Sequence, residues 1–225
     1  MRIIIFICLV WGYTTSHAQD LSKKLEKIVS SIDMQYEKVQ PYSVIVDVVS
    51  SSYKENQVIQ ESKEVEQYKM VMGKDFTYTY FNTTQVFRDS VGELIINNQK
   101  RLIEFNTFRT LSVTMPGQSI MYVAKEFNVN ISEVKHIDDK TVLLFTNELG
   151  DIEIEFQIVN NQIIESVHRN LNESKNREFT LQTKYKNIKP NLLNIDKYRI
   201  KGNGRVVNEE FIPNAKYTEY EIFNY

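Results

Sequence analysis

Few side chains in this sequence stand where they could do chemistry. It has three histidines. His17 lies in a removable-looking N-terminal stretch, which leaves His136 and His168, and neither has a second histidine or a cysteine at metal-ligand spacing. His136-Ile137-Asp138-Asp139 offers nitrogen and oxygen donors, but the pattern is that of a strand end entering a polar turn. Glu153 and Glu155 fall on one side of an alternating segment, as an acid–base pair would. Gln157 continues that side, as on an ordinary polar strand face. Gly202-Asn203-Gly204 has the glycines of a phosphate cradle but no helix after it, so it reads as a hairpin turn. Asn82-Thr83-Thr84, Asn130-Ile131-Ser132 and Asn172-Glu173-Ser174 match glycosylation sequons in an asparagine-rich chain. There is no Gly-x-Ser-x-Gly elbow and no phosphate-binding loop. Without a nucleophile–base pair, a ligand cluster or a cofactor motif, the residues point to a protein that is not an enzyme and holds no metal or cofactor.

Composition narrows the class further. The chain has 225 residues, 42% hydrophobic and 25% charged, the proportions of a globular protein. Its 27 basic and 29 acidic side chains leave no electrostatic footprint for nucleic acid or for an anionic membrane. Met1-Arg2, the apolar run Ile3–Trp11 and Ser16-His17-Ala18 have the charge, apolar core and small-residue cleavage site of a secretory signal, with Gln19 as the new first residue. The run is shorter than the roughly 20 residues of a membrane span, and no later stretch is long and apolar enough. The one cysteine, Cys8, lies inside this run rather than at the cleavage point, so no lipid-bearing cysteine is expected.

The elements that would position any site begin with a helix. Leu21, Leu25, Ile28, Ile32, Tyr36 and Val39 form one apolar stripe from a start capped by Asp20 or Ser22 to a stop at Pro41. The period then changes to two. Strands are expected over Tyr42–Ser50, Val58–Met72, Phe76–Phe81, Leu94–Ile96, Leu102–Phe105 and Thr107–Val113, joined by short polar turns. Met115-Pro116-Gly117 breaks the pattern, and Ser119 caps a short helix through Phe127. Strands resume over Val134–Ile137, Thr141–Thr146, Asp151–Val159, Ile163–Arg169 and Glu178–Tyr185, the last two separated by a polar turn at 170–176. Pro190-Asn191 marks a boundary before an aromatic tail. The organisation is a signal at 1–18, one domain over 19–191, and a β-rich extension over 192–225 packed on it.

Several strands are apolar on both faces: Val44, Val46 and Val48 against Ile45 and Val49, and Phe76, Tyr78 and Tyr80 against Phe81. A sheet covered on both sides accounts for this. So does a curved sheet wrapped around an apolar cavity, with the helix at 119–127 as a lid. Met115 and Met121 near that helix suit a surface that adapts to flexible acyl chains.

The order of elements resembles the LolA-like family of periplasmic lipoprotein carriers, with the related LolB and RseB proteins. Three stretches carry the likeness: the helix-to-strand entry Leu21–Val49, the strand–turn–strand Leu94–Phe105, and the closing strands between Asp151 and Asn191. The turn reads Asn97-Asn98 where the family has Asp-Gly, and no arginine stands at 69–73 where the family's lid-holding arginine is expected. The resemblance implies an α+β fold, mainly antiparallel β: a strongly curved incomplete barrel with an N-terminal helix and a short lid helix. It implies a non-enzymatic carrier or sensor in the periplasm of a Gram-negative bacterium, with an acylated lipoprotein or lipid as cargo and envelope proteins as partners. Candidate acyl-chain-binding residues are Val46 and Val48, then Tyr78 and Tyr80, then Ile96 and Phe105. On the lid they are Ile120, Met121, Ala124 and Phe127, and on the closing strands Ile154 and Phe156. The other reading is an envelope scaffold of the same fold without a ligand, in which the tail Tyr217–Tyr225 pairs with a partner as an edge strand.

Overall fold

The computed structural model describes residues 2–53, 60–107, 115–171, 177–190 and 192–225, with side chains from residue 19 onward except 60–62. Helix α1 runs Arg2–Val39 and α2 Pro116–Glu126. The strands are β1 Tyr42–Tyr53, β2 Gln60–Met72, β3 Phe76–Phe81, β4 Thr84–Asp89, β5 Gly92–Asn97, β6 Leu102–Thr107 and β7 Asn130–Ile137. They continue with β8 Lys140–Thr146, β9 Ile152–Val159, β10 Gln162–Leu171, β11 Arg177–Lys189, β12 Gly204–Val207, β13 Glu210–Pro213 and β14 Glu221–Asn224. Twelve strands form one open sheet in the order β14-β6-β5-β4-β3-β2-β1-β11-β10-β9-β8-β7, and β12 pairs with β13 apart from it. The neighbours β2 to β6 and β7 to β10 are antiparallel, and β14 joins β6 in parallel. The expected α+β class with a large, mainly antiparallel sheet is the one observed.

The chain divides into two compact units. The first holds Met1–Tyr36, Ser50–Lys63 and Met115–Gln182, and the second Glu37–Val49, Glu64–Thr114 and Thr183–Tyr225.

In the first unit the expected stripe of α1 buries Leu25, Ile32 and Tyr36. The helix does not start at Asp20 or Ser22, however: no proline separates the apolar run from the amphipathic stretch, so one helix passes through both. Asp20, an interior residue, pairs with Lys24 one turn on at 2.7 Å. Nor does Ser119 cap α2. The helix starts earlier, with Pro116 at its first position, where the missing N–H costs no intrahelical bond. Ser119 Oγ instead donates to Met115 O, 3.1 Å away.

In the second unit β2–β6 form a meander whose cross-strand partners line up as Val71, Tyr78, Phe87, Leu94 and Phe105. All five are buried. Strand β4 is not among those expected from the sequence, because its Val86 and Phe87 are flanked by polar residues. The hairpin turn of the tail lies at Asn208-Glu209, both at positive φ, not at Gly202-Asn203-Gly204. Gly204 is the first residue of β12, where a Cβ would meet the Phe211 ring at 2.6 Å and Ile212 O at 2.4 Å. The strand expected over 107–113 falls outside the described residues after Thr107, as does the sequon at 172–174.

Candidate functional site

In the first unit β8, β9 and β10 present one apolar face. Leu143 lies opposite Phe156 and Phe145 opposite Ile154, and on the other side Ile154 lies opposite His168. Leu143, Phe145, Ile154, Phe156 and Ile158 are buried, and the rings of Phe145 and Phe156 meet edge-on at 5.9 Å. The residue that ends α2, Phe127, sits edge-on to the His168 ring at 4.5 Å. That contact ties the helix to this face.

The start of α2 is fixed by α1. Asp33 Oδ1 accepts the Gly117 backbone N–H at 2.7 Å, so a carboxylate from another helix does the work of an N-cap. Gly117 permits this because a Cβ there would lie 2.5 Å from Val29 O and 2.6 Å from Asp33 Oδ1. Held so, α2 buries Ile120 fully. Ala124 is half-buried. Met121 is 44% exposed, Tyr122 63% and Phe127 38%. The short helix and its C-terminal cap residue therefore keep three large apolar side chains partly in water.

His168 is a titratable group on this apolar face. Burial pushes its imidazole below the usual 6.5, with a hydrogen bond to Asn170 opposing. Its Nε2 is buried and has no protein partner among the described residues. The imidazole packs between Phe127 and Ile154 here. His136 lies on the exposed β7–β8 hairpin with Nδ1 3.1 Å from Thr141 Oγ1. Among the described residues no group of three or more His, Cys, Asp or Glu side chains could hold a metal ion.

The opposite face of β9 is polar but not simply solvated. Arg169 on β10 reaches Glu155 at 3.1 Å and Glu153 at 3.9 Å, while Gln157 donates to Glu155 at 2.9 Å. A guanidinium between the carboxylates makes this an ion-pair ladder rather than an acid–base pair.

In the second unit the apolar face of β3–β6 is covered by the chain's own tail. Ile200, Phe211 and Tyr217 are buried in one cluster with Tyr78, Phe87, Leu94, Ile96 and Phe105. Phe211 lies 5.7 Å from the Phe105 ring and Tyr198 lies 5.2 Å from the Tyr78 ring. Burial, with Tyr198 beside it, pushes the Tyr78 hydroxyl up to about 12. Polar groups lock the tail in place. Asp89, buried, accepts the N–H of Ile200 at 3.1 Å and that of Val91 at 2.9 Å. Asp75 takes both Arg199 Nη1 and Nη2, at 2.9 and 2.5 Å, and this holds its carboxyl below the usual range. Asn203, also buried, accepts from the Tyr217 hydroxyl at 2.8 Å and donates to Arg199 O at 3.1 Å.

The candidate residues thus fall into two groups. Ile120, Met121, Ala124, Phe127, Ile154 and Phe156 belong to the first unit, and Val46, Val48, Tyr78, Tyr80, Ile96 and Phe105 to the second. Tyr78, Ile96 and Phe105 face the tail. Val46 is buried, Val48 half-buried and Tyr80 40% exposed at the margin of its face. Sequence reasoning missed Asp33, Gly117 and the tail contacts of Asp75 and Asp89. Pro116-Gly117 was the available signal for a close helix approach; nothing local points from residue 33 to residue 117.

Among proteins of known structure, the chain is similar to a LolA superfamily protein from Nitrosomonas europaea, at 9% identity and a TM-score of 0.35, over 76% of this chain and 96% of that one. It is also similar to an uncharacterized conserved protein from Thermus thermophilus, at 8% identity and a TM-score of 0.43, over 79% and 91%. A third likeness is to a chain of the Pseudomonas aeruginosa MucA/MucB complex, at 9% identity and a TM-score of 0.35, over 75% and 56%. At these values none of the three transfers a ligand or a partner to this chain. No family model matches the sequence, and no curated protein matches it.

Proposed function

We propose that this is an exported, non-enzymatic carrier or sensor that takes the acyl chains of a lipid or lipoprotein at the helix α2 surface of its first unit. The carrying observation is that α2 is anchored at Gly117 by Asp33 and at Phe127 by His168, yet leaves Met121, Tyr122 and Phe127 exposed. Such a helix offers apolar contact without needing to unfold, and each methylene it removes from water is worth about 0.8 kcal/mol. A flexible thioether at Met121 adapts to chains of different length. Ile120, Ala124, Ile154 and Phe156 serve this site as its support. In the second unit, Tyr78, Ile96 and Phe105 serve as core beneath the tail. The N-terminal signal provides the export, and among the described residues no helix is long and apolar enough to cross a membrane.

The test is binding of a fluorescent fatty acid by the parent and by Met121→Glu. The charge should abolish binding of the probe while the melting temperature stays within a few degrees, because the side chain is already at the surface. Binding unchanged in Met121→Glu would sink the proposal. Mass spectrometry of lipids extracted from protein purified out of its native envelope would name the cargo.

A further inference from the structure

The sheet has two ends, and they are built differently. β7 stands at one end. It carries a bulge between Ile131 and Glu133, and Glu133 and Lys135 form an exposed ion pair at 2.7 Å. Bulges and charged side chains are the usual means of keeping an edge from pairing with another chain. β14 stands at the other end without a bulge, and its one charged residue, Glu221, is the first of the strand. Its register with β6 is regular, and Ile222, Phe223 and Tyr225 are 36%, 40% and 69% exposed, with the rings of Phe223 and Tyr225 stacked at 6.4 Å.

The backbone shows what this edge offers. Glu221 N–H and Tyr225 N–H donate inward, to Arg101 O and Phe105 O of the β6 segment, both at 2.9 Å. By the alternation of a parallel pair, the N–H and C=O of Ile222 and Asn224 then point away from the sheet. We infer that β14 is a self-pairing edge, at which a second copy of this chain adds its own β14 antiparallel across a two-fold axis.

Charge is the reason for choosing a second copy. An antiparallel pair must set outward-facing residues opposite one another. With the axis at Phe223, Ile222 faces Asn224 of the other copy, Phe223 faces Phe223, and Glu221 faces Tyr225. No like-charged side chains meet, and an aromatic pair lies at the centre, the favourable arrangement for cross-strand neighbours. Glu219, the next carboxylate along, is already taken by Arg101 at 2.5 Å. A four-residue strand makes a small interface, so the dimer is weak and concentration-dependent.

The experiment is sedimentation velocity of the full chain over a range of concentrations, with the variants Ile222→Pro and Ile222→Thr. Proline removes one outward N–H and none of the bonds to β6, and an edge position tolerates it. The parent should shift from monomer to dimer as concentration rises. Ile222→Thr should follow the parent, whereas Ile222→Pro should stay monomeric with an unchanged melting temperature. A parent that stays monomeric at its solubility limit overturns the inference, including the case in which the edge serves an unlike partner. A dimer that persists in Ile222→Pro overturns it as well.

Discussion

Two sheet faces in this molecule are written in the same alphabet and finished differently. The face of β3–β6 and the face of β8–β10 both alternate with period two, and both bury phenylalanine and isoleucine. The first is closed by Ile200, Phe211 and Tyr217 from the tail, with Asp75, Asp89 and Asn203 fixing the cover in position. The second meets Phe127 of the α2 segment through a histidine whose Nε2 has no protein partner among the described residues, and the helix keeps apolar side chains in water. An inward-pointing apolar residue is therefore not evidence of a ligand. The cover decides whether the face is core or surface, and a segment distant in sequence supplies the cover.

Phenylalanine truncation gives the largest separation between the two. Phe211→Ala removes a ring that is 2% exposed and packed on Phe105. It should cost about 3–5 kcal/mol, the range for buried phenylalanine. Phe127→Ala removes a ring that is 38% exposed. It should cost under about 1 kcal/mol, as surface changes do. Urea denaturation of both variants measures this, and equal losses would break the contrast.

The clip between the helices gives the next effect. On propensity alone, Gly117→Ala would favour α2 by about 1 kcal/mol. The contacts of the added Cβ with Val29 O and Asp33 Oδ1 reverse the sign. A net loss of about 1–3 kcal/mol is expected, as for overpacking. Asp33→Ala, which removes the cap, should lose about 1 kcal/mol. The double variant should lose less than the sum, because both changes break one contact. Thermal melts of the three variants decide this, and strict additivity would show that Asp33 and Gly117 act independently.

Much of this is legible in the sequence, and the limits have physical causes. The period-two runs locate β1, β3, β5, β6, β8 and β9, because each half-buried strand writes its own alternation. Thr84–Asp89 escapes such a reading, since only Phe87 and Asp89 are buried in it. The stripe of α1 is plain over Leu25, Ile32 and Tyr36, while its start is not, because a capping residue is informative only where the chain actually bends. The covering role of the tail is invisible. Ile200, Phe211 and Tyr217 follow no single period, and their partners lie about a hundred residues earlier, so contact there is set by tertiary packing alone. The same holds for Asp33, whose carboxylate reads as one more polar residue on a helix until Gly117 is brought to it.

The smallest effect is also the one that separates the units by pH. His168 has its folded pKa pushed below 6.5 by burial. The unfolded chain then binds the proton more readily, so stability from this group is present above about 6.5 and is lost as pH falls from there through the folded value. Asp75 has its folded pKa held below 3.8 by its hydrogen bonds to Arg199. Its contribution is present above that value and is lost only as pH falls below it. Its side chain is 58% exposed. Solvent screening therefore limits the pair to under about 1 kcal/mol. Melting temperatures at about pH 7.5, 5.5 and 3 should show His168→Leu flattening the first interval and leaving the second, since the variant removes a group whose contribution falls away from about pH 6.5 downward. Asp75→Asn should do the reverse. If His168→Leu left the slope between neutral and mildly acidic pH untouched, the imidazole would be as well solvated as any surface histidine, and the contact with Phe127 would no longer mark an apolar face.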